Sequence, residues 1–461
     1  MAGPKVTMIG AGSVVFARTL MSDILSFPEL AGSHIALHDI DPERLATSEK
    51  MVHAVAHALG VNPTIEASLD RKTALRGAKY VINAIQVGGW EATLKDFEIP
   101  KKYGLKQTIA DTLGIGGIFR ALRTIPVLLD ICADMRAVAP GSILLNYTNP
   151  MAMLCLAVER AGGVPVVGLC HSVQSTARQL AEYVDVPAED VSYKVAGINH
   201  MAWFLELSHR SGEDLYPRLW AALDEGPVFS LDKVRFEMMR RLGYFVTESS
   251  EHMAEYVPYF LKRDDLIERF DIPTNEYVRR SAKNLREFQR ARTAFERGEG
   301  VSVQRSHEYA AYIIRAIETN EAWTFHGNVL NAFGARNGAF GARSGQPLID
   351  NLPADSCVEV PILADGKGLQ PQAVGALPPQ LAALNRTNVG VQQLVVEAVL
   401  SHDRDHVYHA AMLDPHTAAV LSLDEIWAMT DELFEAHGEA LPKMESKRLH
   451  GLARPVPAGV N

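Results

Sequence analysis

The chain opens with short apolar runs that end in small or polar residues and give way to helical periodicity. Val6-Thr-Met-Ile9 stops at Gly10-Ala-Gly12-Ser13, and Phe16, Leu20, Ile24 and Leu25 then recur at helical spacing. This predicts strand, glycine turn, helix. His34-Ile-Ala-Leu-His38 predicts a second strand, ending at Asp39-Ile-Asp41-Pro42, with Pro42 in the first turn of a helix that continues to Leu59. Tyr80–Ile85 predicts a third strand. Ser142–Asn146 predicts another, before Tyr147-Thr-Asn149-Pro150, and Val164–Leu169 one more, before Cys170-His171-Ser172. Ile118–Ala137 reads as a helix between them. Strands alternating with helices predict a doubly wound parallel sheet. Ligands of such sheets bind outside the carboxyl ends of the strands, where this chain places Gly, Asp, Asn, Cys and His.

After residue 190 the rhythm changes to longer helical stretches, around 231–243, 275–298, 306–318, 391–402 and 422–437. The predicted fold class is α/β. A Rossmann-type domain occupies residues 1–195, and a C-terminal mixed α+β domain carrying substrate and metal occupies residues 196–461. Residues 326–346 are glycine-rich and hold a small repeat, Ala332-Phe-Gly-Ala-Arg336 and Ala339-Phe-Gly-Ala-Arg343, which predicts a loop.

Composition works by exclusion. At 461 residues the chain is too long for one core. Its formal net charge of −10, with no block of Lys or Arg, argues against nucleic acid as a partner. No apolar run reaches the roughly 18 residues of a membrane-crossing helix, and the N-terminus lacks the pattern of a secretory signal. A cytoplasmic protein with no membrane partner is the expectation. The four cysteines, Cys132, Cys155, Cys170 and Cys357, are scattered without a CxxC, which argues against a disulfide framework.

Gly10 and Gly12 let backbone N–H groups approach a pyrophosphate at a helix N-terminus. The third glycine of the usual pattern is replaced by Val15. Asp39, at the end of the second strand, suits the ribose hydroxyls and disfavours a 2′-phosphate, so NAD is preferred over NADP. Its competing role is a helix N-cap, which Asp41 fills better. Ser13 and Asn83 complete the cofactor candidates. Cys170 and His200 make a plausible ligand pair for a borderline divalent metal, although a Cys and a His thirty residues apart are also common as structural residues. Asn149, Asp111 and Asn199 are candidates for sugar hydroxyls. Asn149 can equally cap a helix, the Asp111 segment can be a plain helix-start loop, and Arg120 and Arg123 can be helix-surface charges. The stretch from Thr247 to Tyr259 is dense in polar and aromatic groups. A tyrosine there can act as a base once its pKa falls, or can simply pack.

Taken together, these residues resemble family 4 of the glycoside hydrolases, and most closely its α-galactosidase branch. The resemblance runs through Ile9-Gly-Ala-Gly-Ser13, Gln107-Thr-Ile-Ala-Asp-Thr-Leu-Gly114, Arg120-Ala-Leu-Arg-Thr-Ile-Pro126, Asn149-Pro-Met-Ala-Met153, Gly168-Leu-Cys-His-Ser-Val173, Ala196-Gly-Ile-Asn-His-Met-Ala202, Gly243-Tyr-Phe-Val-Thr-Glu-Ser-Ser-Glu-His252, Asp350-Asn-Leu-Pro353 and Tyr408-His-Ala-Ala-Met412. It implies a glycosidase that stands outside the two-carboxylate scheme. NAD takes a hydride from C3 of the sugar, the ketone acidifies C2, a tyrosine removes that proton, the C1 substituent leaves, water adds and the hydride returns. By the same resemblance Cys170 and His200 hold Mn²⁺ or another divalent metal, and His171 is the acid for the leaving group. Asn149 binds substrate, and Tyr256 is the base with Tyr259 its rival. A homodimer or homotetramer is also implied. The alternatives are the same chemistry on an α-glucoside, hexuronide, sulfonated or phosphorylated sugar, a hydroxy-acid dehydrogenase, and a non-catalytic sensor. Arg279, Arg280, Arg336 and Arg343 are candidates to meet an anionic sugar.

Overall fold

The computed structural model describes residues 3–224, 227–297, 303–332 and 346–449. Its strands are β1 (Lys5–Ile9), β2 (His34–His38), β3 (Thr64–Ser68), β4 (Tyr80–Asn83), β5 (Ile143–Asn146), β6 (Val166–Gly168), β7 (Val191–Ile198), β8 (Met201–His209), β9 (Trp323–Leu330), β10 (Cys357–Asp365) and β11 (Gly368–Pro371). They form one 11-stranded sheet in the order β3-β2-β1-β4-β5-β6-β9-β10-β7-β8, with β11 paired to β10. The first six strands are parallel in the dinucleotide-binding order. Strands from the second half of the chain extend this same sheet. β9 joins β6 antiparallel at Gly168 and Asn328, and β7 and β8 form an antiparallel hairpin on the far side of β10.

β3 escapes the apolar-run reading because Thr64-Ile-Glu-Ala-Ser68 lies at the sheet edge and none of its residues is fully buried. The helices run where the periodicity places them, including Pro42–Leu59, Gly114–Val138, Glu276–Glu296, Tyr309–Thr319 and Leu423–His437. The predicted helix at 391–402 is the second half of a longer one, Pro379–Ser401. One correction concerns the glycine-rich stretch: His326–Leu330 is the end of β9, not loop. Residues 333–345, with most of the repeat and Arg336 and Arg343, lie outside the described residues. No described helix is long and apolar enough to cross a membrane.

One apolar core joins the two halves. Val6, Ile82, Leu144 and Val166 from the parallel strands share it with Val329, Val360, Val391 and Val407. A smaller cluster, with Val173, Phe204, Phe236 and Phe245, lies beneath the β7–β8 hairpin. Arg120 and Arg123 are not surface charges. Arg123 is 2% exposed and grips Asp96 with two N–H groups, at 3.2 and 2.5 Å. His437 Nε2 meets the same carboxylate at 2.9 Å, which ties the helix Leu423–His437 to the parallel-sheet half.

Removing one partner of such a buried pair leaves a charge uncompensated. Arg123→Met should therefore cost about 3–5 kcal/mol in side-by-side urea unfolding, and a loss below about 1 kcal/mol would mean the pair contributes no more than a surface bridge.

Candidate active site

The dinucleotide end is set by close backbone approach. Gly10 has φ +86°, and a Cβ there would lie 2.6 Å from the Ala84 carbonyl oxygen beyond β4. The Gly12 N–H donates to Asp39 Oδ2 at 2.6 Å, and a Cβ on Gly12 would meet the same oxygen at 2.6 Å. Asp39 also accepts from the Asp41 N–H at 3.0 Å. Asp41 caps the helix Pro42–Leu59 by accepting from the N–H groups of Glu43 and Arg44, as its position before Pro42 predicts. Ser13 is exposed at the start of the helix Val14–Leu25 and makes no side-chain cap, so its hydroxyl does not occupy the first-turn N–H groups of that helix. Val15 replaces the third glycine without penalty because it is 43% exposed. Asn83 differs from its expected part. It is fully buried and spends its amide donor on Asn146 Oδ1 and Thr148 Oγ1, at 2.8 and 3.2 Å, so it braces the strand ends rather than facing the cleft.

The chemical cluster forms where β6 and the β7–β8 turn converge. Cys170 follows β6, and His200 occupies the two-residue turn with φ +62°. Cys170 Sγ lies 3.2 Å from His200 Nε2, and a Glu248 oxygen lies 3.8 Å from the same nitrogen. One donor atom from each of Cys170, His200 and Glu248 falls within 4.8 Å of the others, the one such trio among the described residues. A sulfur, an imidazole nitrogen and a carboxylate oxygen suit a borderline divalent ion. At 3.2 Å apart, the sulfur and the nitrogen are close enough to reach one shared ion. The other ring nitrogen of His200 meets Tyr256 Oη at 2.9 Å, the kind of contact that fixes the tautomer and ring plane of a metal-binding histidine.

A second group adjoins the first. His252 Nδ1 is 3.4 Å from Glu248, and its Nε2 is 4.0 Å from Asp111. Asp111 accepts from Asn149 Nδ2 at 3.1 Å and lies 3.9 Å from Arg120, which itself donates to Tyr277 Oη at 2.9 Å. Burial would raise the Glu248 carboxyl, but the charges of His252 and His200 hold it down to about 2. Burial likewise opposes, and Arg120, His252 and His200 outweigh it, in keeping Asp111 below the usual carboxylate range. Burial pushes the Cys170 thiol well up, with Glu248 and Glu359 adding to it. The expected fall in the Tyr256 pKa is not found in the protein's own groups. Burial and the carboxylates of Asp111, Glu255 and Glu248 push it well above its ordinary value.

The two rival tyrosines separate. His252 and Tyr256 are four residues apart on the helix Ser250–Tyr256 and so share a face. The chain leaves that helix extended at Val257, and Tyr259 emerges 47% exposed with its ring edge-on to Phe260. His171 points to solvent, its side chain 61% exposed, with Nδ1 3.5 Å from Glu308. Asn199 is 1% exposed, and neither polar atom of its amide has a partner among the described residues. Arg279 and Arg280 are exposed and paired with Glu276, and Arg280 also lies 3.8 Å from Glu251 on the helix that carries His252 and Tyr256.

Glu248, His252 and Glu255 were given no individual role from the sequence, and Arg120 was weighed there only as a helix-surface charge. The first three lie in the polar stretch noted there, and the Glu248 to His252 spacing of four was the usable signal. Glu255 is fully enclosed and accepts from the N–H groups of Thr108, Ile109 and Ala110, at 2.5, 3.0 and 3.1–3.2 Å. It thereby holds the loop that delivers Asp111.

A parallel sheet in dinucleotide-binding order, with a Cys-His-Glu donor trio at its strand ends, defines an enzyme built on a Rossmann-type frame. The sequence profile of the family 4 glycosyl hydrolases matches residues 5–186, and that of the family's C-terminal domain matches residues 195–417, so the chain belongs to the family 4 glycosyl hydrolases. It is 48% identical to an α-galactosidase of Bacillus subtilis (strain 168), over 95% of this chain and 99% of that protein. It is 38% identical to an α-galactosidase of Rhizobium meliloti (strain 1021), over 96% and 90%. In fold it resembles a 6-phospho-α-glucosidase from gut microorganisms, solved with NAD and Mn²⁺, with a TM-score of 0.77 and 21% identity over 96% of this chain and 100% of that one.

Glu255→Ala leaves three buried N–H groups without an acceptor, each at about 1–3 kcal/mol. Hydrogen exchange at residues 108–112 should quicken by about tenfold or more, since every 1.4 kcal/mol is a factor of ten. Glu255→Gln, which keeps one acceptor oxygen, should fall between. Unchanged exchange in Glu255→Ala would mean that the carboxylate does not hold the loop.

Proposed function

We propose that this protein hydrolyses α-galactosides by reversible oxidation at C3 and elimination across C2 and C1, with NAD and a divalent metal such as Mn²⁺ as cofactors. The observation that carries the reading is the convergence of Cys170, His200 and Glu248 at the end of a dinucleotide-type sheet, with Tyr256 in contact with His200. The two α-galactosidase relatives support the sugar, and the NAD and Mn²⁺ in the structural neighbour support the cofactors.

The residues fit both groups. Gly10 and Gly12, the open first turn after Ser13 and the Asp39 carboxylate would hold NAD, and Cys170, His200 and Glu248 would hold the metal. When bound, NAD supplies a hydride acceptor for C3, and the metal supplies an electrophile for the ketone oxygen, which together acidify C2. Tyr256 is the base that takes the C2 proton. Its phenol lies one imidazole ring away from the metal position, so it would feel positive charge that the surrounding carboxylates otherwise oppose. His171, exposed at the rim, gives a proton to the departing glycosidic oxygen. Asn149, Asp111 and His252 present hydrogen-bonding atoms for ring hydroxyls, and Arg120 keeps Asp111 ionised. Asn199 would reach substrate only after local movement, because its amide is sealed from solvent. Water then adds at C1, Tyr256 returns a proton to C2, and C3 is reduced, so NAD is regenerated in each turnover. The thiolate ligand requires reducing conditions, which the cytoplasm supplies. The chain acts as a homodimer or homotetramer, with residues 1–195 serving the dinucleotide and sharing the sugar and metal with residues 196–461 through Asp111, Asn149, Cys170 and His171.

Cleavage of p-nitrophenyl α-galactoside should require NAD, Mn²⁺ and a thiol reductant together, should stop on chelation, and should exceed cleavage of the α-glucoside and α-glucuronide. No net NADH should form. NADH accumulating on hydroxy acids, without glycoside cleavage, would overturn the reading in favour of a dehydrogenase.

Tyr256→Phe should lower kcat by about 10²–10⁴, the usual contribution of a proton-transfer group, with NAD affinity unchanged. Tyr259→Phe should leave both unchanged. The opposite pattern would move the base to Tyr259.

A further inference from the structure

Cys170 and His200 rise from strands that are not neighbours. Between β6 and β7 lie β9 and β10. At about 4.8 Å per strand, β6 and β7 are separated by about 14 Å, yet the Cys170 and His200 donor atoms come within 3.2 Å. Both residues must therefore lean inward over the two intervening strands, and whatever lies beneath sets where they meet.

What lies beneath is one straight row across four strands. Gly168 pairs with Asn328, Asn328 with Glu359, and Glu359 with Gly197. Gly168 is the last residue of β6, two before Cys170, and Gly197 is the last but one of β7, three before His200. Asn328 Nδ2 spans the row, 3.4 Å from the Gly168 carbonyl oxygen and 3.4 Å from Glu359 Oε1. There is no space for a side chain at Gly168, where a Cβ would come within 2.5 Å of Met151 Sδ, 2.8 Å of Cys155 Sγ and 2.9 Å of Asn328 Cβ. Asn328 and Glu359 are both fully buried, and Asn328 Oδ1 and Glu359 Oε2 have no partner among the described residues. Val358, Val360 and Val329, next to them in sequence, turn to the opposite face of the sheet and are buried as well, so both strands run through the interior of the molecule. Two under-bonded polar residues weaken such an interior. Stability alone gives no reason for them.

We propose that Asn328 and Glu359 are positioning residues for the metal: their buried pair is the floor that fixes how far apart the Cys170 and His200 segments begin, and so how the two donors meet. The inference rests on the proposed metal site. Burial pushes the Glu359 carboxyl up to about 8, against the pull of the His200 ring. Supporting groups behind metal ligands typically contribute about 10–100-fold to affinity.

The test is Mn²⁺ titration of the whole purified protein, followed by electron paramagnetic resonance, with NAD affinity measured by fluorescence on the same samples. Glu359→Ala and Asn328→Ala should each weaken Mn²⁺ by about 10–100-fold and leave NAD affinity within about twofold. Glu359→Gln keeps an oxygen opposite Asn328 and should restore Mn²⁺ affinity to near the parent value. If either alanine variant fails to fold, the other and Glu359→Gln carry the test. Unchanged Mn²⁺ affinity in a folded alanine variant overturns the proposal. So does equal loss of Mn²⁺ and NAD affinity, which is the mark of general damage. Cys170→Ser and His200→Ala serve as controls. If neither weakens Mn²⁺, the metal site itself is wrong, and this inference falls with it.

Discussion

The arrangement at the strand ends depends on the approach of Cys170 Sγ to His200 Nε2, with the Glu248 carboxylate beside them. A thiol, an imidazole and a carboxylate gathered out of water are costly unless something binds them together. The protein's own groups answer only part of that cost. His252 and His200 hold Glu248 ionised, while the Cys170 thiol is left well above its ordinary pKa. A divalent cation held there would answer the rest, since it favours the thiolate, the neutral ring nitrogen and the carboxylate at once. The other parts of the site extend outward from this trio. Tyr256 orients His200, Glu255 holds the loop bearing Asp111, and Asn149 reaches Asp111 from the end of β5.

The sheet makes the trio possible. Six parallel strands bring their carboxyl ends to one edge, which places the glycine turn, Asn149 and Cys170 on the same side. The antiparallel strands that extend the sheet then deliver His200 in a hairpin turn, at a positive φ. Dinucleotide and metal chemistry thus share one frame, and the proposed reaction needs both within reach of adjacent sugar carbons.

Much of this is legible in the chain. The first strands, the glycine turn, Asp41 as the cap and the Cys170–His200 pair follow from periodicity, turn chemistry and motif. What escapes is what only three dimensions decide. β3 carries no apolar run because it is an edge strand. Arg120 and Arg123 read as surface charges because nothing local shows that Asp111 and Asp96 will face them. Asn83 and Asn199 stand at strand ends, where ligands bind, yet the fold turns both inward. Tyr256 and Tyr259 are indistinguishable along the sequence, and a helix that stops at Tyr256 parts them. The direction of the Tyr256 pKa depends on three carboxylates from distant segments, so sequence spacing could not supply its sign.

The central claim is that the glycosidic bond breaks by elimination after proton removal from C2, not by direct displacement at C1. The most direct measurement is hydrolysis of an α-galactoside in D₂O with NAD and Mn²⁺ present, followed by NMR of the galactose released. Deuterium at C2 of the product is the predicted result, because the proton taken by Tyr256 is returned from solvent. Galactose formed at full rate with ordinary hydrogen at C2 would contradict the account.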